Sequence, residues 1–321
     1  MKLLLTGATG SFGGALIRRL LAENRAEKIV AFARSEHRLA ALAEALEHPR
    51  ELSLMVGDVR DAERVDEALV RIDTVAHAAA LKRTDAINHD PWEIMRTNFE
   101  GTRNVVRAAI ARHVPRVLIL SSDKASSPVT MYGVSKAAAE FYATHANTWG
   151  HPNVRIASVR WGNVMGSTGS VVHIWRRQVA RGEPMALTDE RMNRFWITMP
   201  EAVSFALMAL EVMHGGEILI PDLPAARLVD LAEALAPGHP VKLVGPRACG
   251  EKLTEALSSD DETPRAARVP ELGYVMAPTI ALWPYRPWHG EAVRSAVRSD
   301  GVRQLSVTEL RALLVTVGHE A

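Results

Sequence analysis

Short apolar runs and longer amphipathic stretches take turns along the first half of the chain. Lys2 to Leu5, Ile29 to Ala33, Leu52 to Val56, Thr74 to Ala78, Val117 to Leu120 and Val154 to Val159 are apolar enough to predict buried strands. Between them, Gly13 to Glu23, His37 to Leu46, about Pro91 to Ala111 and Tyr132 to Thr148 predict helices. Strands that alternate with helices pair in parallel through right-handed crossovers, which predicts an α/β fold built on a doubly wound parallel sheet. Beyond Trp161 the pattern loosens: Gly162, Gly166 and Gly169 mark a loop, and later elements are shorter and richer in proline. Near the end, Ser306-x-x-Glu309 ahead of an apolar stretch predicts a capping box.

Composition narrows the class. With 321 residues the chain can bury a large α/β core and a smaller lobe. Lys plus Arg number 38 against 37 Asp plus Glu, a net charge of +1. Such balance argues against general attraction to nucleic acid or membrane, so any anion must be held by a local site. One cysteine, Cys249, excludes an internal disulfide and a cysteine zinc cluster and fits a reducing, cytoplasmic setting. No apolar run approaches the roughly 20 residues that cross a bilayer. The histidines show no metal-ligand spacing, so no metal is expected.

Thr6-Gly7-Ala8-Thr9-Gly10-Ser11-Phe12-Gly13 stands between the first strand and the first helix. Glycines there let backbone approach a pyrophosphate, which sits on unsatisfied N–H groups of the helix start. Gly7, Thr9, Gly10, Ser11, Phe12 and Gly13 are therefore candidate dinucleotide contacts; a tight turn with packing glycines is the alternative. The second strand ends at Arg34 where an NAD enzyme usually carries an acid, and a guanidinium suits the 2′-phosphate of NADP. NADP is preferred over NAD, although a solvated surface arginine would look the same. Asp58 and Val59 follow the third strand and would hold the adenine edge. Ala78, Ala79 and Ala80 follow the fourth, where small side chains leave room for the cofactor backbone. These readings make 1–166 a dinucleotide-binding domain, with segments about 195–222 packing back on it, and 167–321 mainly a substrate-binding lobe.

Tyr132 and Lys136 are four apart and share a helix face. An ammonium beside a phenol favours the phenolate, whose pKa is about 10 when unperturbed. Just upstream, Ser122-Asp123-Lys124 follows the apolar strand at 117–120, adding an acid and a second amine. A base for a hydroxyl, an acid for a leaving group and a base for a carbon-bound proton are more than a simple alcohol dehydrogenase needs. Asp123 and Lys124 could equally be a solvated ion pair in a turn.

These motifs together resemble the extended short-chain dehydrogenases/reductases, and in particular the inverting UDP-N-acetylglucosamine 4,6-dehydratases. The likeness rests on Thr6 to Gly13, His77-Ala78-Ala79-Ala80-Leu81-Lys82, Thr97-Asn98-x-x-Gly101, Ser122-Asp123-Lys124-Ala125 and Tyr132-Gly133-x-Ser135-Lys136. It continues through Arg160-Trp161-Gly162-Asn163-Val164-x-Gly166-Ser167, Thr188-Asp189-x-Arg191-Met192-x-Arg194-Phe195-Trp196-Ile197-Thr198 and Gly250-Glu251-Lys252-Leu253. Asp-Lys replaces the Asp-Glu of retaining dehydratases. The stretch Arg247-Ala248-Cys249-Gly250-Glu251-Lys252 is one residue longer than the Arg-Pro-Gly-Glu-Lys usual in the family, which puts the substrate's nucleotide or sugar in question.

The resemblance implies a Rossmann-type sheet, a tightly bound, recycled NADP, a nucleotide-sugar substrate and a homo-oligomer. It implies that Tyr132, held by Lys136 and Ser122, takes the 4-hydroxyl proton, that Lys124, if desolvated enough to be neutral, removes the proton on carbon 5, and that Asp123 protonates the departing 6-hydroxyl. Asn98 would help position Lys136, with Lys82 and Val164 beside cofactor, while Lys82, Asn163, Ser170, Thr188, Arg191, Arg194, Arg247 and Glu251 would meet the substrate. Arrest at a 5,6-unsaturated sugar, a 4-epimerase or reductase, and a non-catalytic NADP sensor are the competing readings.

Overall fold

The computed structural model describes residues 1–82, 90–246, 250–279 and 281–318. Its frame is a ten-stranded sheet. Strands β1 (Lys2–Thr6), β2 (Lys28–Ala33), β3 (Leu52–Val56), β4 (Thr74–His77), β5 (Arg116–Leu120) and β6 (Arg155–Val159) run parallel in the order β3-β2-β1-β4-β5-β6. Order reverses between β1 and β4, which opens the crevice in which α/β sheets bind ligands at their strand carboxyl ends. The inner strands are nearly all apolar because both faces are covered, whereas the edge strand β3 has no buried residue. Leu4, Val30, Val75 and Val117 face one layer, with Val105, Val106, Ala109 and Ala143. Leu3, Leu5, Ala31 and Ala76 face the other, with Leu16, Ile17 and Leu20. Each such Leu or Ile, fully withdrawn from water, contributes about 1.5–3 kcal/mol.

Helices α1 (Ser11–Ala22), α2 (Glu36–Glu44) and α3 (Ala62–Ala68) follow the first three strands. The helix expected over 91–111 is broken: α4 (Pro91–Met95) and α5 (Gly101–Ala111) flank a π-helical turn at Arg96–Glu100. Such wide turns recur at functional sites because they reorient side chains, and this one turns Thr97 and Asn98 inward. Helix α6 (Met131–Trp149) carries Tyr132 and Lys136.

The second half is more irregular. After β7 (Asn163–Val164), α7 (Val171–Ala180), β8 (Met185–Leu187) and β9 (Asn193–Ile197), the chain returns to the sheet. Helix α8 (Met199–Val212), started by a Thr198–Glu201 capping box, shares an apolar layer with α1. Strand β10 (Ile218–Ile220) then adds parallel to β6. After β11 (Ala225–Arg227), α9 (Leu228–Leu235) and β12 (Val241–Leu243), the chain joins the sheet again through antiparallel strands β13 (Ala266–Val269), β14 (Gly273–Met276) and β15 (Glu291–Ala292). Sheet membership thus extends well past the 195–222 segment expected to return. A separate core of Met165, Trp175, Met192, Trp196, Leu231 and Leu310 packs α7, β9 and α9 against the last helix, α10 (Val307–Gly318). The expected Ser306–Glu309 capping box opens α10, with Oε2 of Glu309 accepting from both the Ser306 amide and hydroxyl. No helix among the described residues is long and apolar enough to cross a membrane.

Candidate active site

The β1–α1 turn is shaped for a phosphate. Gly7 has φ +70°, and a Cβ there would lie 2.7 Å from the Ala79 amide nitrogen. A Cβ on Gly13 would sit 2.6 Å from the Gly7 carbonyl. Gly10 caps α1 without a side-chain bond, and no acid occupies the first turn, so the free amides and the positive end of the helix stay open to an anion. The strand ends are pinned by His77, fully buried, whose Nδ1 lies 2.7 Å from Thr6 Oγ1 and Nε2 3.0 Å from Thr102 Oγ1. Burial, helped by the Lys136 charge, holds its imidazole down to about 3, so it stays neutral.

A 240 Å³ cleft opens along this edge and gathers Gly7, Thr9, Gly10, Arg34, Asp58, Val59, Ala78, Ala79 and Ala80, together with Ser35, Arg38 and Thr97. Such a lining suits the adenosine end of a dinucleotide: small residues on one wall, cations at the mouth. Arg34 and Arg38 are both exposed there. Asp58 lines the cleft but its carboxylate is engaged by Arg60 through the backbone amide at 3.0 Å and the guanidinium at 2.9 Å. It meets the adenine edge only by sharing those bonds. Ser11 and Phe12 start α1; Ser11 Oγ lies 2.7 Å from Thr168 Oγ1, and the Phe12 ring packs 5.6 Å from Trp161.

At the reaction end, β5 runs into a 3₁₀ turn at Asp123–Ala125, and α6 begins six residues later. The two are pressed together: a Cβ on Gly133 would overlap the Lys124 carbonyl. Asp123 is 1% exposed. Its Oδ1 accepts from Ser122 Oγ at 2.8 Å and its Oδ2 from Lys124 Nζ at 2.8 Å. The acid is therefore buried near Tyr132, while the Lys124 amine that it holds is half-buried and still reaches solvent. Lys136, 4% exposed, donates from Nζ to the Leu120 carbonyl at 2.8 Å, and burial brings its ammonium down to about 8.

Tyr132 differs from expectation. Burial of the phenol and the nearby Asp123 carboxylate push it up to about 12, against the opposing hydrogen bond with Ser122. A negative neighbour outweighs Lys136 because the latter is turned toward Leu120. Asn98 also differs. Fully buried in the π turn, it accepts from the Leu81 amide at 2.7 Å and donates to the Leu81 carbonyl and to Ser135 Oγ at 2.9 Å. Its side chain is spent on protein and can act only by placing Ser135 and the adjoining Lys136.

The candidate substrate residues divide. Asn163 and Val164, half-buried on β7, pair with Trp196 and Ile197. Ser170 precedes α7 with its hydroxyl buried and lacking a protein partner, as a ligand contact would require. Lys82 is exposed, with partial burial lowering its ammonium, and Thr188 is half-buried after β8. Arg191 is exposed and clamped on both Asp189 oxygens. Arg194 departs from its expected place at the substrate: it is buried and its guanidinium donates to the carbonyls of Asn193, Lys252 and Leu253, locking β9 to the 250–256 loop. Glu251 is half-buried on that loop. Arg247, and Cys249 with it, lie outside the described residues.

Two groups were missed by the motif reading. Glu255 Oε1 lies 3.1 Å from Lys124 Nζ, and Lys252 donates from Nζ to the Ser126 carbonyl at 2.6 Å. Only folding brings them to Asp123, although the Gly-Glu-Lys-Leu motif pointed at their loop. A larger cavity of 1070 Å³, between α8, the β13–β14 turn and α10, contains none of the candidate residues and lies apart from this chemistry.

Residues 3–277 match the family described as polysaccharide biosynthesis protein. The inverting UDP-N-acetylglucosamine 4,6-dehydratase of Campylobacter jejuni is 39% identical over 82% of this chain and 78% of its own length. UDP-glucose 4-epimerase of Rickettsia conorii is 33% identical over 99% and 96%. Among solved structures, Pen from Bacillus thuringiensis superposes over 98% of each chain with a TM-score of 0.89 at 32% identity. DesIV, a dTDP-glucose 4,6-dehydratase from Streptomyces venezuelae with NAD bound, reaches a TM-score of 0.71 over 78% of this chain and 86% of its own at 22% identity, a likeness of fold. With the glycine turn, the Tyr132/Lys136 helix and a match over most of its length, the chain belongs to the polysaccharide biosynthesis protein family, on the fold of the extended short-chain dehydrogenases/reductases.

Proposed function

We propose that this chain is a nucleotide-sugar 4,6-dehydratase, inverting at carbon 5, that acts on UDP-N-acetylglucosamine or a close analogue with NADP. The observation that carries the reading is the pair Asp123–Lys124, a buried acid and a half-buried amine 2.8 Å apart near Tyr132. Exchange of configuration at carbon 4 needs neither group. The 4-epimerase reading is supported by the Rickettsia relatives, which match over 99% of this chain.

The nicotinamide cofactor, held by the α1 amides, Arg34 and the Ala78–Ala80 wall, supplies the oxidation and later re-reduction of the sugar. Tyr132 exchanges the proton of the 4-hydroxyl. A phenol held near 12 is a poor base at neutral pH, so it needs a positive charge brought near it. Lys136, one helical turn along α6, is the built candidate once it leaves Leu120. A ketone at carbon 4 acidifies the proton on carbon 5, Lys124 removes that proton, and Asp123 protonates the departing 6-hydroxyl. Asp123 ends the cycle one proton short and Tyr132 one proton over, so a proton passes from Tyr132 to Asp123, directly or through solvent, before the next turnover. Delivery of a proton to the opposite face of carbon 5 gives inversion.

Arg34, with Arg38 beside it and no acid at the end of β2, favours the 2′-phosphate of NADP. Turnover belongs in the cytoplasm, where one cysteine in 321 residues suits a reducing medium. Val134, Phe141 and Trp149 form an exposed apolar stripe along α6 with Trp92 nearby on α4, and we assign it to contact with a second copy. Sedimentation showing only monomer at working concentration would remove that assignment.

The test is direct. Purified protein given UDP-N-acetylglucosamine in deuterated water should release a product lighter by one water, with deuterium at carbon 5. Product of unchanged mass, inverted at carbon 4, would favour the epimerase. Arg34→Ala should weaken NADP⁺ about tenfold or more, as loss of a charge-assisted phosphate contact costs about 1.5–3 kcal/mol, while leaving NAD⁺ nearly untouched. Equal losses for both cofactors would refute the NADP assignment.

A further inference from the structure

Glu255 is a carboxylate that the reaction as described does not use, yet it stands against the reaction centre. It is 2% exposed, its Oε1 lies 3.1 Å from Lys124 Nζ, and the same Nζ lies 2.8 Å from Asp123 Oδ2. Its Oε2 is buried without a hydrogen-bond partner, with Lys252 Nζ 3.6 Å away, and Arg194 Nε lies 3.9 Å from Oε1. The backbone is fixed. Glu255 N–H donates to Ser299 Oγ at 3.1 Å, Ser299 N–H donates to the Glu255 carbonyl at 2.9 Å, and Ser299 is fully buried. A rigid frame from the far end of the chain thus delivers one anion to one amine.

We propose that Glu255 is a positioning residue that holds Lys124 between two carboxylates and receives the proton Lys124 sheds before acting at carbon 5. This rests on the dehydratase reading. In the step, one N–H bond of Lys124 breaks and one O–H bond forms at Glu255 Oε1; the charge pair is neutralised and no electrons are exchanged between groups. Reprotonation of Lys124 reverses it. The alternative, a purely structural ion pair, would also shift the ionisation of Lys124 but would take no proton from it during turnover. The charged groups shown to act on Nζ are Asp123 on its own turn and Lys252 and Glu255 from the loop. Of the four charges facing Glu255 itself, Lys124, Arg194 and Lys252 favour its ionised form, while burial first and then the Asp123 charge oppose them, leaving its carboxyl above the ordinary glutamate range.

Two pH profiles test this on the folded, full-length protein. The first is acetylation of Lys124 by acetic anhydride, read by peptide mass spectrometry and needing no substrate. The second is deuterium entry at carbon 5 during turnover. In Glu255→Gln one negative neighbour disappears, so the labelling midpoint should move about one unit toward acid, and the acid limb of exchange should move with it. The exchange plateau should fall about 10²-fold for want of the proton acceptor, with KM little changed. Glu255→Asp keeps the charge one methylene back and should give an intermediate midpoint, which carries the test where the glutamine variant does not fold. Variant midpoints that coincide with the wild type, or an exchange plateau that Glu255→Gln leaves unchanged, overturn the role of Glu255. A wild type that labels normally but never exchanges at carbon 5 with any UDP-sugar overturns the dehydratase reading instead, and the catalytic use of Glu255 with it.

Discussion

Lys124→Ala should reduce deuterium entry at carbon 5 and formation of the dehydrated sugar by about 10²–10⁴-fold, the range in which removal of a positioned acid–base group falls. The loss should appear in kcat with little change in KM, because the amine acts on a carbon-bound proton and not on the groups that hold the nucleotide. Truncation also leaves Asp123 and Glu255, both nearly fully buried, without the cation they share. Lys252 and Arg194 remain near Glu255 and limit that cost. Lys124→Met, which keeps the stem but not the charge, separates packing from chemistry and should be as inactive as alanine. Exchange within tenfold of the wild type in either variant would mean that another group is the base, and the dehydration mechanism would have to be rebuilt around it.

How much of this was legible beforehand follows from the range of the interactions. The inner strands of the parallel sheet were readable because both faces are buried and their apolar runs are nearly unbroken. The glycine turn was readable because sterics at Gly7 and Gly13 act between neighbours in one motif. Tyr132 and Lys136 were readable from helical spacing. Helix α3 escaped notice because only Val65 and Ala68 of its seven residues are buried, too few to make a periodic signal. The break in the 91–111 helix was invisible since a π turn leaves apolar spacing almost intact.

The direction of the Tyr132 shift was misread for a different reason. Spacing shows that Lys136 shares a face with the phenol, but not that its ammonium is captured by the Leu120 carbonyl while Asp123 faces the ring. Arg194 was misassigned in the same way: an arginine in a motif rich in cations looks like an anion ligand until its donors are counted against backbone carbonyls. Glu255 lay beyond any local rule, since it meets Lys124 only because β9, the 250–256 loop and Ser299 are locked together. The residues that carry chemistry were named by local pattern; the charges that tune them were supplied by tertiary contact.

Arg160→Ala should be the most damaging single change to the fold. Arg160 is 1% exposed at the end of β6. Its guanidinium donates to Glu140 at 3.0 and 2.5 Å, to Glu262 at 3.0 and 2.9 Å, and to the Leu257 carbonyl at 2.9 Å, so all of its donors are used. Alanine would leave two carboxylates facing each other in a dry site with only Arg265 near Glu262, at 3.6 Å. Breaking a buried pair in this way costs about 3–5 kcal/mol, which for a chain of this size lowers Tm on the order of 10 °C. The pH dependence has a sign. Burial alone would raise the Glu262 carboxyl, but bonds and charge from Arg160 override it and hold it below the ordinary glutamate range. In the wild type, therefore, this carboxylate stabilises the fold above the unfolded glutamate pKa of about 4.3, and the contribution fades as pH falls through the lower folded value. Without Arg160 burial prevails, the folded value rises above the unfolded one, and the sign reverses: the variant should lose further stability as pH rises from about 4.3 toward the raised folded value. Arg160→Lys, which keeps the charge but offers fewer donors, should fall between. Because Glu140 sits one turn beyond Lys136 on α6 and Glu262 anchors the segment that follows Glu255, loss of activity should accompany loss of stability. A Tm within about 2 °C of the wild type, less than roughly 1 kcal/mol on the same scale, would show that the network is better screened than its burial implies.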